Sequence, residues 1–123
     1  MSTVLVVDDD PAIRTMVRLM LARLSCTVVE AGDGDEALAH VRRESPNLIL
    51  LDIVMPGLDG WVVLRTLQEE GLTPGIPVVL ISGNAALDDE TARGLGAAAV
   101  LPKPFHMRAV RALVQDLLKL PVA

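Results

Sequence analysis

Tyrosine is absent from this 123-residue chain, and Trp61 and Phe105 are its only aromatic residues. A core without rings must be assembled from Val, Leu, Ile, Ala and Met. A hydrophobic share of 51% is ample for that and excludes a disordered chain. The single cysteine, Cys26, rules out an internal disulfide and fits a reducing, cytoplasmic setting. Positive charge is also short: 11 Lys and Arg stand against 16 Asp and Glu, a net charge of −5. Direct binding to nucleic acid needs a basic patch, so that class is set aside. No apolar run approaches the roughly 20 residues of a membrane span. Acids arrive as early as Asp8, so no signal peptide is visible and no membrane insertion is expected.

What the chain does have is unbroken runs of aliphatic residues that end in polar ones. Thr3-Val4-Leu5-Val6-Val7 runs into Asp8, Asp9 and Asp10. Leu48-Ile49-Leu50-Leu51 runs into Asp52, and Val78-Val79-Leu80-Ile81 runs into Ser82. Such runs read as strands buried on both faces, as in a parallel sheet covered by helices. Cys26 to Glu30 reads as a short edge strand, and Ala97 to Leu101 as a weak last strand ending at Pro102-Lys103-Pro104. Helical spacing places five helices between and after them. They start near Asp10-Pro11, then span Asp35 to Glu44, Trp61 to Glu70, Leu87 to Arg93 and His106 to Leu120. This alternation predicts an α/β fold: a doubly wound, five-stranded parallel sheet with right-handed crossovers in a single domain, 1–123. Structure is expected to about residue 120, with Pro121-Val122-Ala123 as a short tail.

Parallel strands place their carboxyl ends on one side, where ligands bind in open sheets. Four of the five strands deliver a polar group there: Asp8 and Asp9, Asp52, Ser82, and Lys103. Three carboxylates against one ammonium repel one another, and a hard divalent ion with oxygen ligands would offset the excess. Mg²⁺ suits that set, with Mn²⁺ as the substitute. Metal, lysine, hydroxyl and carboxylate together point to phosphoryl chemistry on an aspartate. Gly32-Asp33-Gly34-Asp35-Glu36-Ala37 matches a dinucleotide-binding pattern on paper, but its acids would repel a pyrophosphate, so it reads as a turn and helix cap. Asp10 reads as a helix cap, His40 and His106 as exposed helix residues, and Trp61 as a core cover and reporter.

Val6-Val7-Asp8-Asp9-Asp10, the stretch Leu51 to Gly60, Ile81-Ser82-Gly83 and Lys103-Pro104-Phe105 together resemble the receiver domain of bacterial response regulators. Ala31 to Leu38 and Gly96-Ala97 fit as well, so the resemblance covers essentially the whole chain. It implies a flavodoxin-like (βα)5 receiver with sheet order 2-1-3-4-5 and Asp52 as phosphoacceptor. The implied Mg²⁺ ligands are Asp9, Asp52 and the Val54 backbone carbonyl, with Asp8 acting through water. Lys103 would pair with Asp52 and then with the phosphoryl group, Ser82 would donate a hydrogen bond, and Gly83 would leave room. The Lys103-Pro104 bond is implied to be cis.

The implied partners are a histidine kinase or histidine phosphotransfer protein, docking near Ala12, Ile13, Met16 and the Pro104-Phe105 loop, and a downstream protein. The chain would be a signalling receiver rather than an enzyme, a monomer or weak dimer. Met1 and the tail at Ala123 lead to the expectation of a stand-alone regulator with no output domain. Three departures from the family pattern stand out. Val100 replaces an aromatic that swings inward on activation, and the face formed by the fourth helix, the last strand and the closing helix lacks the charges of a large DNA-binding subfamily. Apolar Val54, with Asn84 at the other lifetime-tuning position, implies slow self-dephosphorylation. Two other functions compete: an interaction module that needs no phosphorylation, and a hydrolase with an aspartate nucleophile.

Overall fold

A computed structural model describes residues 1–84 and 86–120. The expected tail at 121–123 lies outside the described residues. Strands β1 (Ser2–Val7), β2 (Cys26–Ala31), β3 (Leu48–Asp52), β4 (Val78–Ser82) and β5 (Ala99–Pro102) alternate with five helices. These are α1 (Pro11–Met20), α2 (Gly34–Arg43), α3 (Gly60–Glu69), α4 (Asp89–Gly94) and α5 (Met107–Leu118). The strands form one parallel sheet in the order β2-β1-β3-β4-β5, as expected.

The apolar runs are explained by a core on each side of the sheet. Side chains of a strand alternate between faces. Leu5, Val7, Ile49, Leu51 and Leu80 therefore pack beneath α2, α3 and α4, with Ala37, Val41, Val63, Leu67 and Ala92. Val4, Val6, Leu48, Leu50, Val79 and Ile81 face α1 and α5, meeting Val17, Met20, Val110 and Val114. Phe105 packs at the margin of the second core and Trp61 at that of the first, so aliphatic side chains do form both interiors. Among the described residues no helix is long and apolar enough to cross a membrane.

Helix starts follow the capping chemistry read from the sequence. Asp10 accepts the Ala12 N–H at 2.9 Å ahead of Pro11. Before α2, Asp33 accepts the Glu36 N–H at 2.7 Å while Glu36 reaches back to the Gly32 N–H at 3.2 Å. That reciprocal pair is a capping box, which accounts for the glycine-rich segment without a nucleotide. Helix α4 begins at Asp89 rather than near Leu87, because Asp88 caps it by accepting the Thr91 N–H at 2.7 Å.

His40 departs from expectation: it is buried, and neither ring nitrogen has a hydrogen-bond partner among the described residues. By helical geometry it lies about 60° round from Ala37, at the margin of the apolar stripe, where sequence periodicity separates core from surface least well. Burying polar nitrogens without partners costs stability that an apolar side chain avoids. His40→Leu is therefore expected to stabilise the fold by about 1 kcal/mol, an increase of about 4 °C in Tm. A fall in Tm on thermal melting would contradict this account of the site.

Candidate functional site

The sheet order reverses direction between β1 and β3, and the carboxyl edge at such a switch point is where doubly wound folds place their ligands. Val7 is in register with Leu51, so the next residues, Asp8 and Asp52, leave their strands side by side. Ser82 is in register with Pro102, and the Lys103 N–H extends that ladder to the Ser82 carbonyl at 2.9 Å. Pairing alone thus carries residues from four loops to one edge.

The acids converge closely. One carboxylate oxygen each from Asp8, Asp9 and Asp52 lies within 4.8 Å of the others. Asp8 and Asp52 are buried, at 0% and 3% exposure, while Asp9 is exposed to solvent. Lys103 Nζ stands 3.4 Å from Asp52 Oδ2 and 3.5 Å from Asp8 Oδ2, bridging the buried pair. The Lys103-Pro104 bond is cis, as expected, and so is Thr73-Pro74, which the sequence reading missed.

The electrostatics of Asp52 follow from its surroundings. Burial pushes its carboxyl above the usual range, and the neighbouring Asp8 adds to the rise. The Lys103 ammonium and the Val54 N–H, 3.2 Å from Oδ1, draw it partly back. Three carboxylates and one ammonium leave a formal excess of two negative charges at the edge.

These residues fit a hard divalent cation. Asp8 Oδ1 accepts the Asp10 N–H at 2.9 Å, but Asp8 Oδ2 is buried with no hydrogen-bond donor among the described residues. Lys103, at 3.5 Å, offers it an ion pair rather than a well-formed hydrogen bond. A buried carboxylate oxygen in that condition suits a cation or water bound to one, and the set is all oxygen, as Mg²⁺ prefers.

Beside the acids lies a cleft of about 340 Å³, lined in part by Val54, Trp61, Ser82, Gly83 and Asn84. The Ser82 hydroxyl accepts the Asn84 N–H at 2.9 Å; it shapes this loop and does not cap α4, whose cap is Asp88. Val54 is 80% exposed and presents an apolar side chain at the mouth. A Cβ built at Gly83 would meet nothing within 4 Å, so that side of the cleft is open. Val100 is half-buried against the core under α4, and its N–H donates to Asp89 Oδ1 at 2.9 Å, tying β5 to α4.

Two participants escaped the sequence reading. Arg14 is one of two arginines on α1, and it donates to the Asp8 carbonyl at 2.6 Å. Its place four residues after the Asp10 cap, one turn back toward the strand end, was the available signal. Gly60 reads as an ordinary turn glycine, but its N–H donates to the Ile53 carbonyl at 2.9 Å and its Cα lies against the Asp52 backbone.

Comparison with known proteins gives a consistent picture. The family model described as "Response regulator receiver domain" matches residues 4–115. The "Probable transcriptional regulatory protein TcrX" of Mycobacterium tuberculosis is 38% identical over 119 residues, covering 95% of this chain and 50% of that protein. The Bacillus subtilis "Alkaline phosphatase synthesis transcriptional regulatory protein PhoP" is 36% identical over 117 residues, covering 94% and 48%. The chain spans about half the length of the curated relatives it matches. Among solved structures, the Francisella response regulator 1452 receiver domain superposes with a TM-score of 0.86 at 28% identity, covering 97% of this chain and 98% of that one. The receiver domain of NtrX from Brucella abortus gives 0.82 at 34% identity, covering 94% and 98%.

Proposed function

Because this chain belongs to the response regulator receiver domain family, we propose that it accepts a phosphoryl group on Asp52 from a phosphohistidine. The observation that carries the reading is the meeting, at the switch point of the sheet, of three carboxylate oxygens within 4.8 Å and an ammonium 3.4 Å from Asp52. A carboxylate oxygen of Asp52 forms the new bond to phosphorus, the phosphorus–nitrogen bond of the donor breaks, and its electron pair remains on the imidazole.

Asp9, Asp52 and the Val54 carbonyl would hold Mg²⁺, or Mn²⁺ in its place, with Asp8 engaging it through water. When bound, the ion offsets the negative charge of the carboxylates and the incoming phosphoryl oxygens. Lys103 is placed to transfer its ion pair from Asp52 to a phosphoryl oxygen, and the Ser82 hydroxyl donates to another. The exposed, apolar Val54 offers no polar group to orient an attacking water, which supports slow self-dephosphorylation. The molecule is then a switch rather than a turnover enzyme: the new charge on Asp52 shifts the loops after β3 and β4 between two arrangements. The bond from Val100 to Asp89 joins β5 to α4 and gives that shift a path without an aromatic.

For the donor, a histidine kinase or phosphotransfer protein, the face beside the acids is suited. A groove of about 450 Å³ is lined by Ile13, Met16, Lys103, Pro104 and Phe105, apolar but for the lysine that reaches the site. The absence of a membrane-spanning helix among the described residues is compatible with action in the cytoplasm.

The test uses Trp61, which shares the cleft with Val54 and Ser82. Its fluorescence is expected to change on adding Mg²⁺, and again on adding beryllofluoride or acetyl phosphate. Mass spectrometry is expected to find an acid-labile phosphate on Asp52. No Mg²⁺ response together with no phosphate on Asp52 would overturn the proposal, and turnover of phosphate esters would favour a hydrolase instead.

A further inference from the structure

Arg14 is built into the back of the acidic edge. From α1 its Nη1 donates to the Asp8 carbonyl at 2.6 Å, and its Nε donates to Glu30 Oε1 on β2 at 3.0 Å. Glu30 Oε2 is in turn held by Arg18, at 3.1 Å from Nε and 2.8 Å from Nη2. These bonds, from Arg18 foremost, hold the Glu30 carboxyl below its usual range, so the acid is ionised at neutral pH. The Arg14 side chain is 19% exposed and that of Arg18 47%. The Arg18 pair is a solvated surface contact of little worth, whereas Arg14 is enclosed and fixed in one geometry.

The consequence reaches the metal-binding acids through the backbone. The Asp8 N–H donates to the Ala31 carbonyl at 3.2 Å, so both peptide groups of Asp8 are pinned, one by β2 and one by Arg14. A peptide unit is planar, so fixing the Asp8 carbonyl fixes the Asp9 N–H and the direction in which Asp9 departs. Asp9 is exposed and its carboxylate makes no hydrogen bond among the described residues, so its backbone sets the direction of its Cβ and with it the region the carboxylate can reach. An unpaired arginine this near would also repel a cation, and Glu30 offsets part of the positive charge that Arg14 and Arg18 bring here.

We propose that Arg14, aimed by Glu30, is a positioning residue for the metal site, holding the Asp8-Asp9 peptide so that both carboxylates face the ion. The inference rests on the reading of Asp8, Asp9 and Asp52 as the metal site. Groups that orient metal ligands in this way typically control affinity by about tenfold to a hundredfold. Lys in place of Arg14 keeps the charge but cannot bond Glu30 and the Asp8 carbonyl from two separate nitrogens, so it is not expected to restore binding. Glu30→Gln keeps an acceptor for Arg14 Nε and is expected to lose less.

The measurement is Mg²⁺ titration of Trp61 fluorescence in wild type, Arg14→Ala, Arg14→Lys and Glu30→Gln. It is run at a temperature where circular dichroism shows each variant folded, alongside melting with and without Mg²⁺. A Kd raised about tenfold or more in both Arg14 variants, with a smaller rise in Tm on adding Mg²⁺, is expected. Wild type that binds Mg²⁺, with Arg14→Ala or Arg14→Lys within about twofold of it, would overturn this inference alone. Wild type that fails to bind Mg²⁺ would overturn the metal-site reading itself and this inference with it.

Discussion

Asp52→Asn is expected to remove the acid-labile phosphate entirely, to abolish most Mg²⁺ binding, and to make the metal-free protein more stable. The first two outcomes follow from the loss of the proposed nucleophile and of one proposed metal ligand. The third follows from where Asp52 sits. It is 3% exposed beside the buried Asp8, and burial foremost, then Asp8, pushes its carboxyl above the usual range. The unfolded chain keeps the ordinary value of about 3.9.

Between those two pKa values the folded state holds the Asp52 proton more often than the unfolded state, so metal-free stability falls as pH rises through that window. Above the raised value the cost is complete and constant, and below the ordinary value it is absent. Asn stays neutral at every pH and can still accept the Val54 N–H through its amide oxygen. Its Tm is therefore expected to exceed that of wild type at pH 7 without metal, with the difference shrinking as the medium is acidified below the ordinary carboxylate range. Mg²⁺ reverses the order. A ligand at a hundred times its Kd stabilises by roughly 2.7 kcal/mol, a gain open to wild type and largely closed to the variant. Melting curves at pH 7 with and without Mg²⁺ read both effects, and an Asn variant less stable than metal-free wild type would contradict the electrostatic account.

Most of this site was legible in the sequence because strand ends are marked by abrupt changes in polarity. Once Val7, Leu51 and Ile81 are buried in parallel strands, Asp8, Asp52 and Ser82 have to emerge on one edge, whatever the finer packing. Caps were legible for the same reason: Asp10-Pro11 and the Asp33 to Glu36 segment satisfy backbone donors that any helix start exposes. What escaped was long-range and geometric. Arg14 meets Glu30 across 16 positions of sequence, and only its place one turn after the Asp10 cap separates it from Arg18, which meets the same acid in solvent. His40 sits at the edge of the helical stripe, where a small rotation decides burial. Gly60 looks like any glycine beside an aspartate, since what it must avoid, the backbone of Asp52, is adjacent only after folding.

Gly60→Ala is expected to be the most damaging single-methyl change in the site. A Cβ there would run into the Asp52 carbonyl oxygen and lie 2.7 Å from the Ile53 Cα, both backbone atoms that cannot rotate away. Helix α3 starts at this residue, capped by Asp59 with the Val62 N–H at 3.1 Å, so the N-terminus of α3 rests directly on the exit of β3. Relief requires moving the helix or displacing the Asp52 peptide. A cost of about 3 kcal/mol is expected from overpacking against backbone. Mg²⁺ affinity should fall with it, because the displaced peptide belongs to a proposed metal ligand. Gly57 provides the control: its φ of +76° suits glycine, but an added Cβ would meet nothing within 4 Å. Gly57→Ala should therefore cost only about 1 kcal/mol, for the left-handed backbone alone. Urea unfolding of the two variants, with Mg²⁺ titration of Trp61 in each, separates these causes. Equal losses in both would show that close approach at Gly60 is not what binds α3 to the Asp52 loop.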